Sequence, residues 1–549
     1  MYLIDRYLER VDFKDYEDFS KNLKYKPVTS FNFGYDVVDE YARLVPEKRA
    51  LVWCNDRGEE KVFTFADISR LSNKVANMLL SKGVKKGDFV MTMLNRRYEF
   101  YLVSVACCKI GAVLIPATYL LTAKDIAYRI NNAGVKALFT INESGVAEYI
   151  DEAKTQCPTL QYVFTIGERK GFIDMHKEME SYPDTLNLPE HKKPKLTDNM
   201  LVYFTSGTTG YPKMVAHNFK YPLGHIMTAY YWHAVVDDGL HFTMAESGWA
   251  KFSWGKIYGQ WLAGTAVFCY DYYGRFTPTD VLPLISKYKI TTFCAPPTIY
   301  RFLIRENLDN YDFSSLVSCT TAGEALNAEV FRLFKEHTGI EIREGFGQTE
   351  SAVITANFRF SHGNPGSCGK PTPIYDLVLL DDYDNVVEGS NVEGEMVIRL
   401  KDDQFGLLCG YYKDPERTEA ALGTGYYHTG DLAMRDEEGT YWFVGRKDDI
   451  IKSSGYRIGP FEVESALMEH PAVLECAITG APDPIRGQVV KATIILNKGY
   501  TPSESLTKDI QNHVKHATAP YKYPRIVEYV TELPKTISGK IMRKDIRKK

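Results

Sequence analysis

Thr205-Ser206-Gly207-Thr208-Thr209-Gly210-Tyr211-Pro212-Lys213 follows directly on the apolar run Met200 to Phe204. Glycines let such a loop turn its backbone N–H groups inward, hydroxyls add donors and Lys213 adds a point charge, a combination that can wrap phosphate oxygens. The order G-T-T-G-Y-P-K departs from a Walker A loop, which needs GxxxxGK[ST]; a Gly/Thr-rich surface turn is the other reading of the same residues. Glu350 closes the stretch Gly345-Phe346-Gly347-Gln348-Thr349-Glu350, where a carboxylate suits a hard, oxygen-seeking Mg2+ bridging nucleotide phosphates or serves as a solvated loop residue. Phe346 is placed either to stack on a purine or to fill core. Asp431 ends the Gly-flanked turn Tyr427-His428-Thr429-Gly430-Asp431, and its two acceptor oxygens suit a pair of ribose hydroxyls. His428 reads as a packing or loop histidine in preference to a general base. Arg446 and Arg457 offer planar guanidinium groups to ribose or phosphate oxygens, or to ordinary salt bridges. By charge alone Lys540 is one lysine among several in a basic tail.

These residues sit at the ends of an alternating pattern. Ile68 to Leu80 has helical apolar spacing, Phe89 to Met93 is a short apolar strand, and Tyr98 to Cys108 is helical again. The rhythm recurs with strands at Ala137 to Phe139, Leu160 to Thr165 and Thr291 to Cys294, which predicts βαβ units and α/β architecture with a largely parallel sheet. Leu186 to Asn199 is a polar connector. From about residue 366, short alternating strands such as Leu377 to Leu380 and Glu395 to Arg399 predict a small β-rich, barrel-like subdomain. Beyond the charged stretch Arg446-Lys447-Asp448-Asp449 a final α+β segment has helices over Phe461 to Met468 and Ser505 to His516 and strands over Leu474 to Thr479 and Val490 to Leu496.

The chain has 549 residues, 44% hydrophobic and 25% charged, with 66 basic and 70 acidic residues for a net charge of −4. This is globular composition, and no basic field is available to recruit nucleic acid. Ten cysteines are scattered without a CxxC pair, so a disulfide scaffold or zinc site is not expected and a reducing compartment is. Asp5 and Glu9 precede any apolar stretch, which argues against a leader peptide; the expectation is a cytoplasmic protein. Tyr101 to Leu121 contains Lys109, Gly111 and Pro116, so it reads as a buried helix and strand, with no membrane span.

Taken together in order, the loop at 205–213, the motifs at 345–350 and 427–431, Gly445-Arg446-Lys447-Asp448-Asp449, Ser453-Ser454-Gly455-Tyr456-Arg457 and Pro534-Lys535-Thr536-Ile537-Ser538-Gly539-Lys540 resemble the acyl-adenylate-forming superfamily over nearly the whole chain. The resemblance implies a large N-terminal adenylation domain, residues 1–447, and a small mobile C-terminal domain, 448–549, hinged at Asp448. It implies ATP, Mg2+ and coenzyme A as cofactors and a small carboxylic acid as substrate. Thr205 and Glu350 would hold the metal; Thr205, Ser206, Gly207, Thr208, Thr209, Gly210 and Lys213 the phosphates. Gly323, Glu324, Ala325, Glu344, Gly345, Phe346, Gly347, Gln348 and Thr349 would surround the nucleotide, with Asp431, Arg446 and Arg457 beside it. Lys540 matches the lysine that bridges carboxylate and α-phosphate, where positive charge stabilises the transition state.

The final third is most similar to medium-chain acyl-CoA synthetases, which implies CoA contacts at Ser454, Gly455, Tyr456, Arg486, Lys515, Tyr523 and Arg525. Relatives specific for acetate carry tryptophan at the position of Gly347, so glycine is expected to leave room for a longer acid. Trp232, Trp249, Trp254, Lys251 and Cys294 are the expected pocket wall; three bulky rings favour short, including branched, acids, about C3 to C8. Acetyl- or aryl-CoA synthesis, or loading of another thiol, are the alternatives, and a silent nucleotide-binding protein is disfavoured by retention of Glu350, Asp431, Arg446 and Lys540. The chain is expected to be a monomer or homodimer.

Overall fold

The computed structural model describes residues 3–143, 145–205, 212–274, 276–324, 326–454, 456–536 and 540–548. Ser206, Gly207, Thr208, Thr209, Gly210, Ala325 and Gly455, all expected at the site, lie outside the described residues.

The first sheet has eight strands in the order Gly410–Tyr411, Lys213–Asn218, Asn199–Thr205, Val113–Pro116, Phe89–Met93, Val135–Ile141, Tyr162–Ile166 and Ile173–Asp174. Its central pairings are parallel, and Phe89–Met93 and Val113–Pro116 are buried throughout. That explains their unbroken apolar character, since a parallel strand covered on both faces has no polar side to show. Helix Glu99–Ile110 is likewise buried along its whole length and stops at Gly111, whose φ of 72° needs no Cβ. Its one cation, Lys109, is fully buried, with Nζ donating to Asp39 Oδ1 at 2.6 Å, Asn73 Oδ1 at 2.7 Å and Ser72 Oγ at 3.1 Å. Among the described residues no helix is long and apolar enough to cross a membrane.

The second sheet has thirteen strands. Arg49–Asn55, Ala266–Asp271, Leu240–Thr243, Thr292–Cys294, Ser318–Ala322 and Ile342–Phe346 are parallel neighbours. Past Ile342–Phe346 the pairing turns antiparallel, through Thr355–Ala356 and Ser367–Pro371 to Tyr441–Arg446, Tyr426–Arg435, Val392–Arg399 and Asp376–Leu380. The β-rich segment expected from residue 366 is therefore antiparallel but continuous with the larger sheet, along one open path of pairings.

A third sheet is built from residues 451–529, with Val473–Asp483 and Gly487–Leu496 as its long hairpin. Helices Pro460–Met468 and Glu504–Ala517 pack Val463, Leu467, Ile510 and Val514 onto Ile478, Val490 and Ile494 in a core of their own. The parallel strands carry the candidate site at their carboxyl ends, where open α/β sheets bind ligands: Thr205, Cys294, Ala322 and Phe346 each terminate a strand.

Candidate active site

Thr205 and Lys213 are opposite one another across the two strands that bracket the phosphate loop. Thr205 Oγ1 is buried and finds no hydrogen-bond partner among the described residues. Lys213 Nζ lies 2.5 Å from Glu350 Oε1, and Glu350 is only 5% exposed. Tyr411 joins them, its hydroxyl donating to Glu350 Oε1 at 3.1 Å and accepting from Lys213 Nζ at 3.0 Å. Among the described residues no cluster of three or more His, Cys, Asp or Glu forms a metal cage. An orphaned hydroxyl and a buried carboxylate already facing a cation do fit Mg2+, which is commonly held by one or two protein oxygens plus substrate phosphates.

A second cluster forms around Asp431. Gln348 Nε2 donates to Thr429 O at 2.8 Å and to Asp431 Oδ2, while Tyr427 Oη donates to Gln348 Oε1. Arg446, the cross-strand partner of Asp431, reaches its Oδ1 at 3.4 Å and Asp448 Oδ1 at 3.5 Å. Burial pushes the Asp431 carboxyl up to about 6, against the pull of Arg446, Gln348 and Lys540.

The Glu344 side chain is engaged by backbone within the protein. Its Oε1 accepts from Leu326 N at 2.8 Å and its Oε2 from Gly366 N at 2.6 Å, so both oxygens brace loops, one of them following Gly323 and Glu324. Burial raises its carboxyl to about 8. Glu324 faces Arg301 at 3.3 Å, Thr349 O accepts from His217 Nε2 at 2.8 Å, and Phe346 lies 6.1 Å from the Phe443 ring.

The tryptophans divide. A Cβ on Gly345 would fall 2.5 Å from the Trp232 ring, and one on Gly347 would fall 2.4 Å from Trp254. The two rings meet edge to face, 6.0 Å apart. The room that Gly347 was expected to leave for a longer acid is thus filled by Trp254. Trp249 is half-buried at the start of helix Ala250–Gly255. Lys251 Nζ donates to Ala322 O at 3.0 Å; burial lowers its pKa, with Cys294 and Glu324 opposing and Lys540 reinforcing. Glu246 escaped sequence reading. It is 6% exposed, its Oε1 accepts from Gly248 N at 3.1 Å, its Oε2 has no partner among the described residues, and burial lifts it to about 7. Tyr411 escaped as well, because nothing in its spacing marks it.

The C-terminal residues fall into three groups. Lys540 is exposed, yet its charge acts on both Asp431 and Lys251. Ser454 Oγ accepts from Arg486 Nη1 at 3.1 Å; Lys515 and Arg525 flank the Tyr523 ring at 4.2 and 4.9 Å; Tyr456 stacks on Tyr521 at 4.1 Å. Arg457 is instead engaged by Asp382 and does not join the Asp431 cluster.

The model of the AMP-binding enzymes matches residues 38–412, and that of the AMP-binding enzyme C-terminal domain matches 462–540. The chain belongs to the AMP-binding enzyme family. It is 40% identical to the mouse (Mus musculus) "Acyl-coenzyme A synthetase ACSM3, mitochondrial", over 98% of this chain and 94% of the relative. The human (Homo sapiens) ACSM3 is 41% identical, over 98% and 93%. The anthranilate CoA ligase AuaEII, solved with anthranoyl-AMP, superposes with a TM-score of 0.84 at 30% identity, covering 95% of this chain and 98% of that one. The Brucella canis acyl-CoA synthetase gives 0.74 at 30% identity, covering 98% and 99%. The names of the mouse and human relatives place them in mitochondria, which overturns the expectation of a cytoplasmic protein. The physical reason is plain: unpaired cysteines report a reducing milieu and do not say which one.

Proposed function

We propose that this chain is an AMP-forming acyl-CoA synthetase acting on short-to-medium aliphatic acids. The observations that carry this reading are the orphaned Thr205 hydroxyl beside the Lys213–Glu350 pair and the Asp431–Gln348–Arg446 cluster; we place the Lys540 ammonium between Asp431 at the ribose end and Lys251 at the acyl wall. A substrate carboxylate lying between them meets the α-phosphate of ATP beside that ammonium. The carboxylate oxygen forms the new bond to α-phosphorus, the bond to the bridging oxygen breaks, pyrophosphate leaves, and no proton moves. Lys540 lowers the barrier by matching charge that grows at the α-phosphate. Asp431 and Gln348 orient the ribose, and Lys213 with Thr205 steadies the phosphates. Mg2+ held at Glu350 and Thr205 would neutralise phosphate charge.

In the second half-reaction the CoA thiol attacks the acyl carbon of the mixed anhydride, AMP departs and the thiol proton is released. We assign CoA to Ser454, Tyr456, Arg486, Lys515, Tyr523 and Arg525, whose basic members suit a phosphorylated nucleotide. Residues 1–447 and 448–549 act as two domains turning about Asp448, a reading supported by the separate core of the third sheet. Pyrophosphate release and CoA-thioester formation across linear and branched C2 to C10 acids test the proposal: a maximum among the shorter acids is expected, and no turnover with any acid would sink it.

A further inference from the structure

Lys213, Glu350 and Tyr411 form a closed triangle. The ammonium sits 2.5 Å from the carboxylate, the phenol hydroxyl bonds to both, and the Tyr411 ring lies 4.7 Å from Nζ. A carboxylate this buried must keep a counter-charge, because removing its partner leaves an uncompensated charge out of water. Lys213 supplies that charge, but it is also the last residue of the loop at 205–213, on a flexible four-carbon stem, and 23% of its side chain is exposed.

We propose that Lys213 occupies, in the nucleotide-free enzyme, the place at Glu350 that Mg2+ takes when MgATP binds, and that the Tyr411 hydroxyl is the positioning group about which the two cations exchange. This rests on the ATP-dependent reading above. Phosphate draws Lys213 away from Glu350, and the divalent cation replaces the lost charge. Tyr411 stays put: its strand pairs with Val215, its backbone N–H donates to Thr418 Oγ1 at 2.9 Å, and the Glu350 carbonyl is pinned by Leu408 N at 2.7 Å. Its hydroxyl has one proton, and at 3.1 Å that proton is directed at Glu350 Oε1. Tyr411 thereby holds one oxygen of the carboxylate in a fixed direction while the cation beside it changes.

The test is calorimetric titration of the full-length chain with Mg2+ alone, and with Mg2+ plus α,β-methylene-ATP, without any acid. If the exchange holds, Lys213→Met binds Mg2+ alone more tightly than wild type, because the competing ammonium is gone, whereas Lys213→Arg stays near wild type. Tyr411→Phe keeps the ring and raises the Mg2+ concentration that half-saturates the analogue complex by about tenfold, the loss expected for one hydrogen bond to a charged group. Thermal melts of each variant confirm that it is folded. Equal Mg2+ affinity for Lys213→Met and wild type, or an unchanged Mg2+ midpoint in folded Tyr411→Phe, overturns the proposal. A wild type that shows Mg2+-dependent analogue binding with these variant effects, yet releases no pyrophosphate with any acid, refutes the synthetase reading and leaves the exchange standing.

Discussion

Asp431 and Arg446 are direct partners across Tyr426–Arg435 and Tyr441–Arg446, 3.4 Å from carboxylate to guanidinium. The arginine holds a charge that burial resists. With the carboxyl raised to about 6 from 3.8, the folded chain binds this proton more tightly than the unfolded one, so between those values Asp431 contributes less stability as pH rises. Binding runs the other way, since only the ionised form accepts from both ribose hydroxyls. kcat/KM for ATP is expected to fall below about pH 6, approaching tenfold per pH unit. The pH profile checks this, and Asp431→Asn should have low activity without that inflection.

Lys540→Ala removes the charge that spans Asp431 and Lys251. Adenylation should drop on the order of 10²–10³-fold, the scale of losing one preorganised transition-state contact, while thioester formation from supplied acyl-AMP is largely retained. Separate assays of the two half-reactions decide: equal loss in both refutes the assigned role.

Much of this architecture is legible in the sequence, and the reason is local. Helix Phe65–Ser81 shows its 3.6-residue apolar period and a Thr64–Asp67 capping box, and the buried parallel strands are unbroken apolar runs. Asp431 and Lys540 stand out because their motifs are contiguous. Tyr411 does not, since it meets Glu350 across 61 positions and Lys213 across 198. The same holds for Arg457, whose partner Asp382 lies 75 positions away, and for Gly347, where an absent side chain says nothing about the ring that fills the gap.

That ring makes the proposed acyl-pocket floor testable. Tryptophan at Gly347 has no space while Trp254 stands 2.4 Å from its Cβ position, so Gly347→Trp alone should lose activity with every acid instead of shifting preference toward acetate. Trp254→Ala should open the floor and move the optimum to longer chains, gaining about 0.8 kcal/mol of binding per newly buried methylene at a cost of about 3–5 kcal/mol in stability. kcat/KM against chain length and thermal melts read both effects.

Glu344 braces the loop after Gly323 and Glu324 through two backbone N–H groups. Gln offers one acceptor oxygen in place of two, so Glu344→Gln strands one donor and should cost about 1–3 kcal/mol. If the bracing serves nucleotide binding, KM for ATP rises while KM for the acid stays unchanged; an equal rise in both would show that the residue supports the fold at large.

The Arg457–Asp382 ion pair ties the third sheet to the antiparallel lobe in the arrangement described, the one to which the proposed adenylation role of Lys540 belongs. Both partners are partly exposed, so the pair is worth at most about 1 kcal/mol in stability. Its effect should therefore appear in partitioning. Arg457→Ala, by releasing one contact specific to this arrangement, should slow pyrophosphate formation a few-fold, leave the melting temperature within about 1–2 °C, and spare or speed thioester formation from acyl-AMP. Charge reversal of both partners should restore the first half-reaction if the pair acts by holding the domains together. If Arg457 acts on the nucleotide itself, reversal deepens the loss, and single-turnover assays of the two half-reactions separate these outcomes.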